Sequence, residues 1–340
     1  QRLSRGLGDV YKRQRKRRPS MGARDSRADI LDDDPFRNTR GQPRIHRVHQ
    51  RVDDRGTLHF ETNGSFGNAL MQFLNQSTWE KPKHHTGRLW HFSKTEKNHL
   101  ALAMAAFTLA LGFMSVYGIS GINEYGFSTW LVLLLLSMPV MFIAVGPAFL
   151  VHEIGHKLVA KKNGCWAEFR ADPKGLQFGV IISLLLGFVF MAPGAVMVAG
   201  VVTRRQNGHI AVAGPLTNLG LFLIGIPVWG LILGLSGAFD GVATAGRITA
   251  SDYISNGSLV WQAILIHAGV FWLQANLILG LFNMLPFGPL DGLKIKDWSE
   301  RAFYLVLLIF AVPVFLWFSN VWSPMGVLHT IAETISNLVR

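Results

Sequence analysis

The sequence predicts an all-α polytopic membrane protein of about six transmembrane helices, one segment of them re-entrant or broken, with a small membrane-associated β-sheet beside it. Composition points there first. Of 340 residues, 49% are apolar and only 16% charged, with a mean hydropathy of +0.27. That is too apolar and too charge-poor for an average soluble domain. Patterning points the same way. The apolar residues form blocks free of Asp, Glu, Lys and Arg, at 100–123, 125–152, 178–203, 210–239, 253–290 and 302–332. Each exceeds the roughly 20 residues a helix needs to cross a hydrocarbon core. A soluble enzyme, a coiled coil and a disordered chain are excluded as descriptions of the whole.

The polar residues collect at the N-terminus. Residues 1–60 hold 16 Lys/Arg and 8 Asp, so net +8 of the chain's +12 lies there. This stretch reads as a disordered basic tail. Its first 14 residues, QRLSRGLGDVYKRQ, resemble translated sequencing-adapter read-through rather than natural protein. Lys12–Arg18 is a basic block, but no aromatics interleave with base-reading side chains, so no nucleic-acid partner is expected. The tail instead fits the positive-inside rule, with the N-terminus cytoplasmic. Met21, Gly22 and Ser26 match the myristoylation pattern, although a chain with several spans needs no lipid anchor. Residues 61–97 form a juxtamembrane segment. Phe66, Phe73, Trp79, Trp90 and Phe92 suit the headgroup level.

The membrane domain runs over 98–322. Span 1 covers about 99–120. Span 2 covers about 128–161 and contains Pro139, Gly146 and Pro147. Such breakers persist at membrane depth only where neighbours or water satisfy the freed backbone. It ends in Lys157, Lys161 and Lys162, which places that end in the cytoplasm. Residues 163–177 form a polar connection. If the block 178–203 crossed fully, Arg204 and Arg205 would lie outside; a turn at Pro193–Gly194 brings them back inside, so a re-entrant or broken segment is expected. Span 4 covers about 210–236, and the Gly/Ser/Thr-rich loop 237–257 suits the outside. Span 5, about 258–284, returns to Lys294, Lys296 and Arg301. Span 6 follows at about 301–320, and the tail 323–340 reads as a short helix of low charge.

One pattern in span 2 carries chemistry. His152-Glu153-Ile-Gly-His156 is H-E-x-x-H. Four-residue spacing puts both imidazoles on one helix face, one turn apart, within reach of one metal ion. Two His and one carboxylate suit zinc and leave its fourth position open. Glu153, beside the first ligand, is placed to move a proton as general base. A Glu inside an apolar helix costs about 3 kcal/mol on insertion scales, so it is read as functional. The bland alternative is that these groups snorkel at the span's cytoplasmic end, beside Lys157.

The third ligand is expected to be Asp291, in Asn283-Met-Leu-Pro-Phe-Gly-Pro-Leu-Asp291-Gly292. It ends a 38-residue stretch without another charge, and a lone carboxylate there is costly unless it meets a cation. A helix-terminal Asp that merely caps a turn is the alternative. Ala213-Gly214-Pro215-Leu216-Thr217-Asn218 opens span 4. Asn218 there fits interhelical packing as readily as chemistry. His267 reads as a satisfied core histidine, His84 and His85 as interfacial, and Gly230-x-x-x-Gly234 as a helix-packing surface. Cys165 is the sole cysteine, which excludes an internal disulfide and a cysteine metal site.

HEIGH in one span, AGPLTN opening a later one and NMLPFGPLDG closing another resemble, in that order, the site-2 protease family of intramembrane zinc metalloproteases. The resemblance covers about 98–320 and is closest to prokaryotic members without PDZ or CBS domains. It implies one zinc per chain held by His152, His156 and Asp291, with Glu153 as catalytic base. It also places Asn283 beside the active site, where its amide would steady an oxyanion or the substrate backbone. Transmembrane segments of other proteins are the implied substrates, and a prokaryotic plasma membrane the implied location. The long apolar insert at about 178–192 departs from the family and leaves the substrate-side sheet open. Three other readings remain at this stage: a divalent-metal transporter using the same groups for transit, a non-catalytic relative that binds membrane proteins, and a membrane metalloprotease acting on soluble substrates, for which no separate helix with a completing Glu stands out. Oligomeric state is not legible.

Overall fold

The computed structural model describes residues 88–191, 193–199, 202–240, 249–288 and 290–339, together with the backbone of 49–52 and 58–61. His84 and His85, and most of the predicted tail and juxtamembrane segment, lie outside the described residues. Within the tail, β1 (His49–Val52) pairs antiparallel with β2 (Leu58–Glu61).

The membrane domain begins with α1 (Lys94–Ser115), capped by Ser93, whose hydroxyl accepts the Glu96 N–H. A 3₁₀ turn and the short α2 (Gly121–Tyr125) lead into α3 (Phe127–Lys162), a 36-residue helix with Pro139 and Pro147 inside it. Strand β3 (Trp166–Ala171), α4 (Pro173–Leu186) and strand β4 (Gly194–Ala199) follow. Helix α5 (Arg204–Ser236) starts in a capping box made by Thr203 and Gln206. A small hairpin, β5 (Ile254–Ser255) with β6 (Ser258–Leu259), precedes α6 (Trp261–Asn283). Then come α7 (Asp291–Trp298), α8 (Glu300–Phe318) and α9 (Pro324–Val339).

Five of these helices, α1, α3, α5, α6 and α8, are long and apolar enough to cross a membrane. They match the predicted spans 1, 2, 4, 5 and 6. Their outer faces are apolar and open, with Leu135, Phe142, Ile224, Leu305 and Phe315 all exposed, as helices facing lipid require. Their inner faces carry the polar residues: Ser137, Asn218, His267 and Asn276 are buried.

The block 178–203 does not cross. Its helix α4 has 14 residues, so it rises only about 21 Å, short of a core of about 30 Å. Local signals set both ends. Asp172 accepts the Lys174 N–H with Pro173 at the first helical position, and Gly187 closes the helix in the left-handed conformation. The chain then returns as β4, antiparallel to β3, with Glu168 opposite Met197 and Phe169 opposite Val196. The predicted broken segment is therefore a short apolar helix followed by a strand.

The two strands meet closely where β4 begins. Gly194 has φ +132, and a side chain there would press on Ala171 Cα at 2.7 Å; only glycine suits both demands. Helix α9 lies along α5, with Ile331 against Gly230 and Ile335 against Gly234. The G-x-x-x-G surface is thus used within the chain. His267 is buried and bonded to the Tyr253 hydroxyl, the satisfied core histidine expected of it.

Candidate active site

Helices α3, α5 and α7 converge on one buried point. The α3 face that carries His152 and His156 looks onto the start of α5. At Gly214 a methyl group would press on the Nε2 atoms of both rings, lying 2.5 Å from that of His152. A glycine at this position therefore sets the helix spacing that admits two imidazoles. Pro215 follows without breaking the helix.

Asp291 comes from the turn after α6. It is the first residue of α7, but its side chain does not cap that helix. It points at the two imidazoles, Oδ2 lying 2.9 Å from His156 Nε2 and 3.4 Å from His152 Nε2. The two Nε2 atoms are 3.0 Å apart. In a tetrahedral zinc site with ligand atoms at about 2.0–2.1 Å from the metal, any two ligands are about 3.3–3.4 Å apart. The three observed separations therefore fit one zinc ion with little adjustment. Among the described residues, His152, His156 and Asp291 form the only such group, and all three are buried.

Neighbouring groups prepare each ligand atom. Ile210 O is only an acceptor and lies 2.7 Å from His156 Nδ1, so Nδ1 carries the proton and Nε2 keeps its lone pair. Asn218 does the same for His152. Its Nδ2 donates to Ala148 O at 2.9 Å and to Asn276 Oδ1 at 3.0 Å, which turns Oδ1 toward His152 Nδ1 at 2.6 Å. Asn276 is itself held by donating to Trp272 O. Lys294 donates to Asp291 Oδ1 at 3.1 Å, leaving Oδ2 to face the imidazoles. Burial raises the Asp291 carboxyl, but His156 and His152 in their protonated, metal-free form, together with Lys294, outweigh it and hold the group well below the usual carboxylate range. It is present as an anion.

Glu153 is not part of the ligand group. It is half-buried beside His152, with the backbone amide of Val196 on β4 close enough to act on its carboxylate. The register explains that contact. Asp172 N donates to Pro193 O, so the even-numbered residues of β3 face β4. On β4 the backbone groups of Gly194, Val196 and Val198 then point away from β3. The outer edge of the sheet is turned toward Glu153.

The structure brings His152, Glu153, His156 and Asp291 together. Asn283 does not join them: it ends α6, half-buried, and its amide donates to Leu279 O in its own helix. Asn218, weighed as packing, holds a histidine. Asn276 and Lys294 were not singled out for the site. The signal for Asn276 was an amide inside an otherwise apolar span, which membrane helices do not hold without a partner.

A bundle of membrane-crossing helices around an H-E-x-x-H and Asp centre that fits zinc defines a membrane zinc metalloprotease. The chain belongs to Peptidase family M50, whose pattern matches residues 140–297. That interval runs from α3 through α7 and contains every group described above. The chain is 38% identical over 168 residues to the Methanocaldococcus jannaschii protein named "Putative zinc metalloprotease MJ0611", covering 49% of this chain and 74% of that one. It is 30% identical over 168 residues to the Bacillus subtilis protein named "Putative zinc metalloprotease YwhC", covering 47% and 68%. No solved structure matches it.

Proposed function

We propose that the protein is an intramembrane zinc endopeptidase that cleaves transmembrane segments of other membrane proteins, as in regulated intramembrane proteolysis. His152, His156 and Asp291 hold the metal, and Glu153 is the catalytic base. The observation that carries this reading is the position of Glu153: next to the metal group, outside it, and against the edge of a strand. A metal transporter has no need of a non-ligating carboxylate at that point.

Zinc bound there supplies a Lewis acid that acidifies a water molecule and polarises a carbonyl. The rest falls to the chain. A substrate helix hides its amides in its own hydrogen bonds, so it must unwind before hydrolysis. The outward backbone groups of Gly194 and Val198, with the Val196 carbonyl beside the amide that faces Glu153, receive the unwound segment as an added strand. That strand runs past Glu153, which takes the proton from the attacking water and returns it to the departing amine nitrogen as the C–N bond breaks. Asn283 stays a candidate for steadying the substrate, by a rotamer change that frees its amide from Leu279 O. Water reaches the centre from the end marked by Lys161 and Lys162, which is cytoplasmic under the positive-inside rule. The N-terminus shares that side, and the membrane is a prokaryotic plasma membrane.

The test pairs wild type with Glu153→Gln, each purified in detergent and quantified for zinc, and incubated with single-span proteins read by mass. Both are expected to hold about one zinc, with only wild type cutting inside spans. Equal cutting by both variants removes Glu153 from the reaction, and a wild type without metal removes the centre itself.

A further inference from the structure

Glu96 sits far from the metal in sequence and enters none of the steps above. Its position at the start of α1, in Ser93-Lys-Thr-Glu96, fits a capping box. Only half of that box forms. Ser93 accepts the Glu96 N–H, but the Glu96 side chain turns inward, with 1% of the residue exposed. One carboxylate oxygen, Oε2, pairs with Lys157, the residue that follows His156 on α3. The other, Oε1, accepts the Phe169 N–H of β3 at 3.1 Å. Lys157 is as deeply buried as Glu96, with its ammonium 3.7 Å from the centre of the Phe92 ring. One turn along the same face of α1, His99 Nδ1 accepts the Ala171 N–H at 3.1 Å. Arg170 Nη1 donates to Phe169 O.

These bonds close the outer edge of β3. Odd-numbered residues of that strand face away from β4, and side chains occupy both backbone groups of Phe169 and the amide of Ala171. A peptide adding to this sheet is left the β4 edge, the one that faces Glu153. The same carboxylate also joins the sheet to the turn of α3 that carries His156.

We propose that Glu96 is a positioning residue for peptide hydrolysis, tying the strand pair to the active-site helix so that the β4 edge is held in register with the metal centre. This rests on the proposed function for its catalytic consequence but not for its structural one. The acceptor on Phe169 N–H is the working part; the charge is needed only because Lys157 is buried beside it.

Two double variants separate those parts. Glu96→Gln with Lys157→Met removes both charges and keeps an oxygen for the Phe169 amide. Glu96→Leu with Lys157→Met removes the charges and the acceptor together. Replacing both partners of a buried pair by neutral groups of similar size is close to neutral for folding. Full-length protein carrying each pair is assayed for zinc content, for kcat and KM on a single-span substrate, and for hydrogen exchange in 166–171 and 194–199. The Gln/Met form is expected to keep zinc, wild-type exchange and kcat/KM within about threefold of wild type. The Leu/Met form is expected to keep zinc, to exchange faster in both strands, and to lose at least about tenfold in kcat/KM, the scale of one uncapped buried donor. Equal exchange in the two forms overturns the proposal, whatever the activities. If wild type cuts nothing, the functional reading fails, and exchange still decides whether Glu96 holds the sheet.

Discussion

Asn218 offers the sharpest quantitative check on the centre. It is fully buried and makes three hydrogen bonds, one of which fixes the proton of His152 on Nδ1. Asn218→Ala leaves His152 Nδ1–H, Ala148 O and Asn276 Oδ1 without that partner. At about 1 kcal/mol per bond, the direct loss is about 3 kcal/mol of stability. The part felt by the metal is smaller. Removing the partner of a metal-bound histidine typically costs about 10–100-fold in metal affinity, or about 1.4–2.7 kcal/mol. Zinc affinity is measured by competition with a chromophoric chelator, in detergent, against wild type. Asn218→Asp is the control. It keeps an acceptor for Nδ1–H but sets a carboxylate against Ala148 O and Asn276 Oδ1. It is expected to bind zinc at least as tightly as wild type while melting at a lower temperature. Wild-type zinc affinity in Asn218→Ala would refute the reasoning, because His152 would then need no second partner to present Nε2.

Other groups at the centre give further checks. Gly214→Ala puts a methyl 2.5 Å from His152 Nε2, so α5 must retreat; zinc content is expected to fall well below one per chain by elemental analysis, while Gly220→Ala, whose position is open, leaves it unchanged. Lys294→Met frees Asp291 Oδ1 but leaves Oδ2 facing the imidazoles. Zinc is retained, with affinity lowered about tenfold at most, because Lys294 is partly exposed and its pairing is screened. Chelation of zinc is expected to lower Tm, since the metal cross-links α3 to α7. Re-addition of zinc restores it, and an unchanged Tm counts against a ligand set drawn from both helices.

Much of this was legible because membrane helices give strong signals. Five of the six uncharged blocks long enough to cross hold a helix able to span; the sixth, 178–203, is broken by Gly187 and Pro193 into a short helix and a strand. Charge isolation located the site for the same reason: His152, Glu153, His156 and Asp291 stand out because lipid-embedded chain tolerates such groups only when they meet partners. The sheet was harder. Phe169 and Ala171 face the core of α1 and α3, and Ala167 packs with Ala160 and Ile210, while Glu168 and Arg170 are buried on the other side as an ion pair. The alternation therefore reads as charged and apolar residues in a surface loop, when both faces are in fact covered. Asn283 shows the opposite failure. Its place in a motif implied a role, but its amide satisfies a carbonyl one helical turn back, a local bond that no pattern of residue types reveals. Glu96 lay hidden because Ser-x-x-Glu is an ordinary way to begin a helix. Whether such a Glu closes its own cap or reaches a lysine 61 residues away depends on what packs beside it. Here that neighbour is the turn of α3 that carries His156, so the helix start and the metal centre are set by one contact.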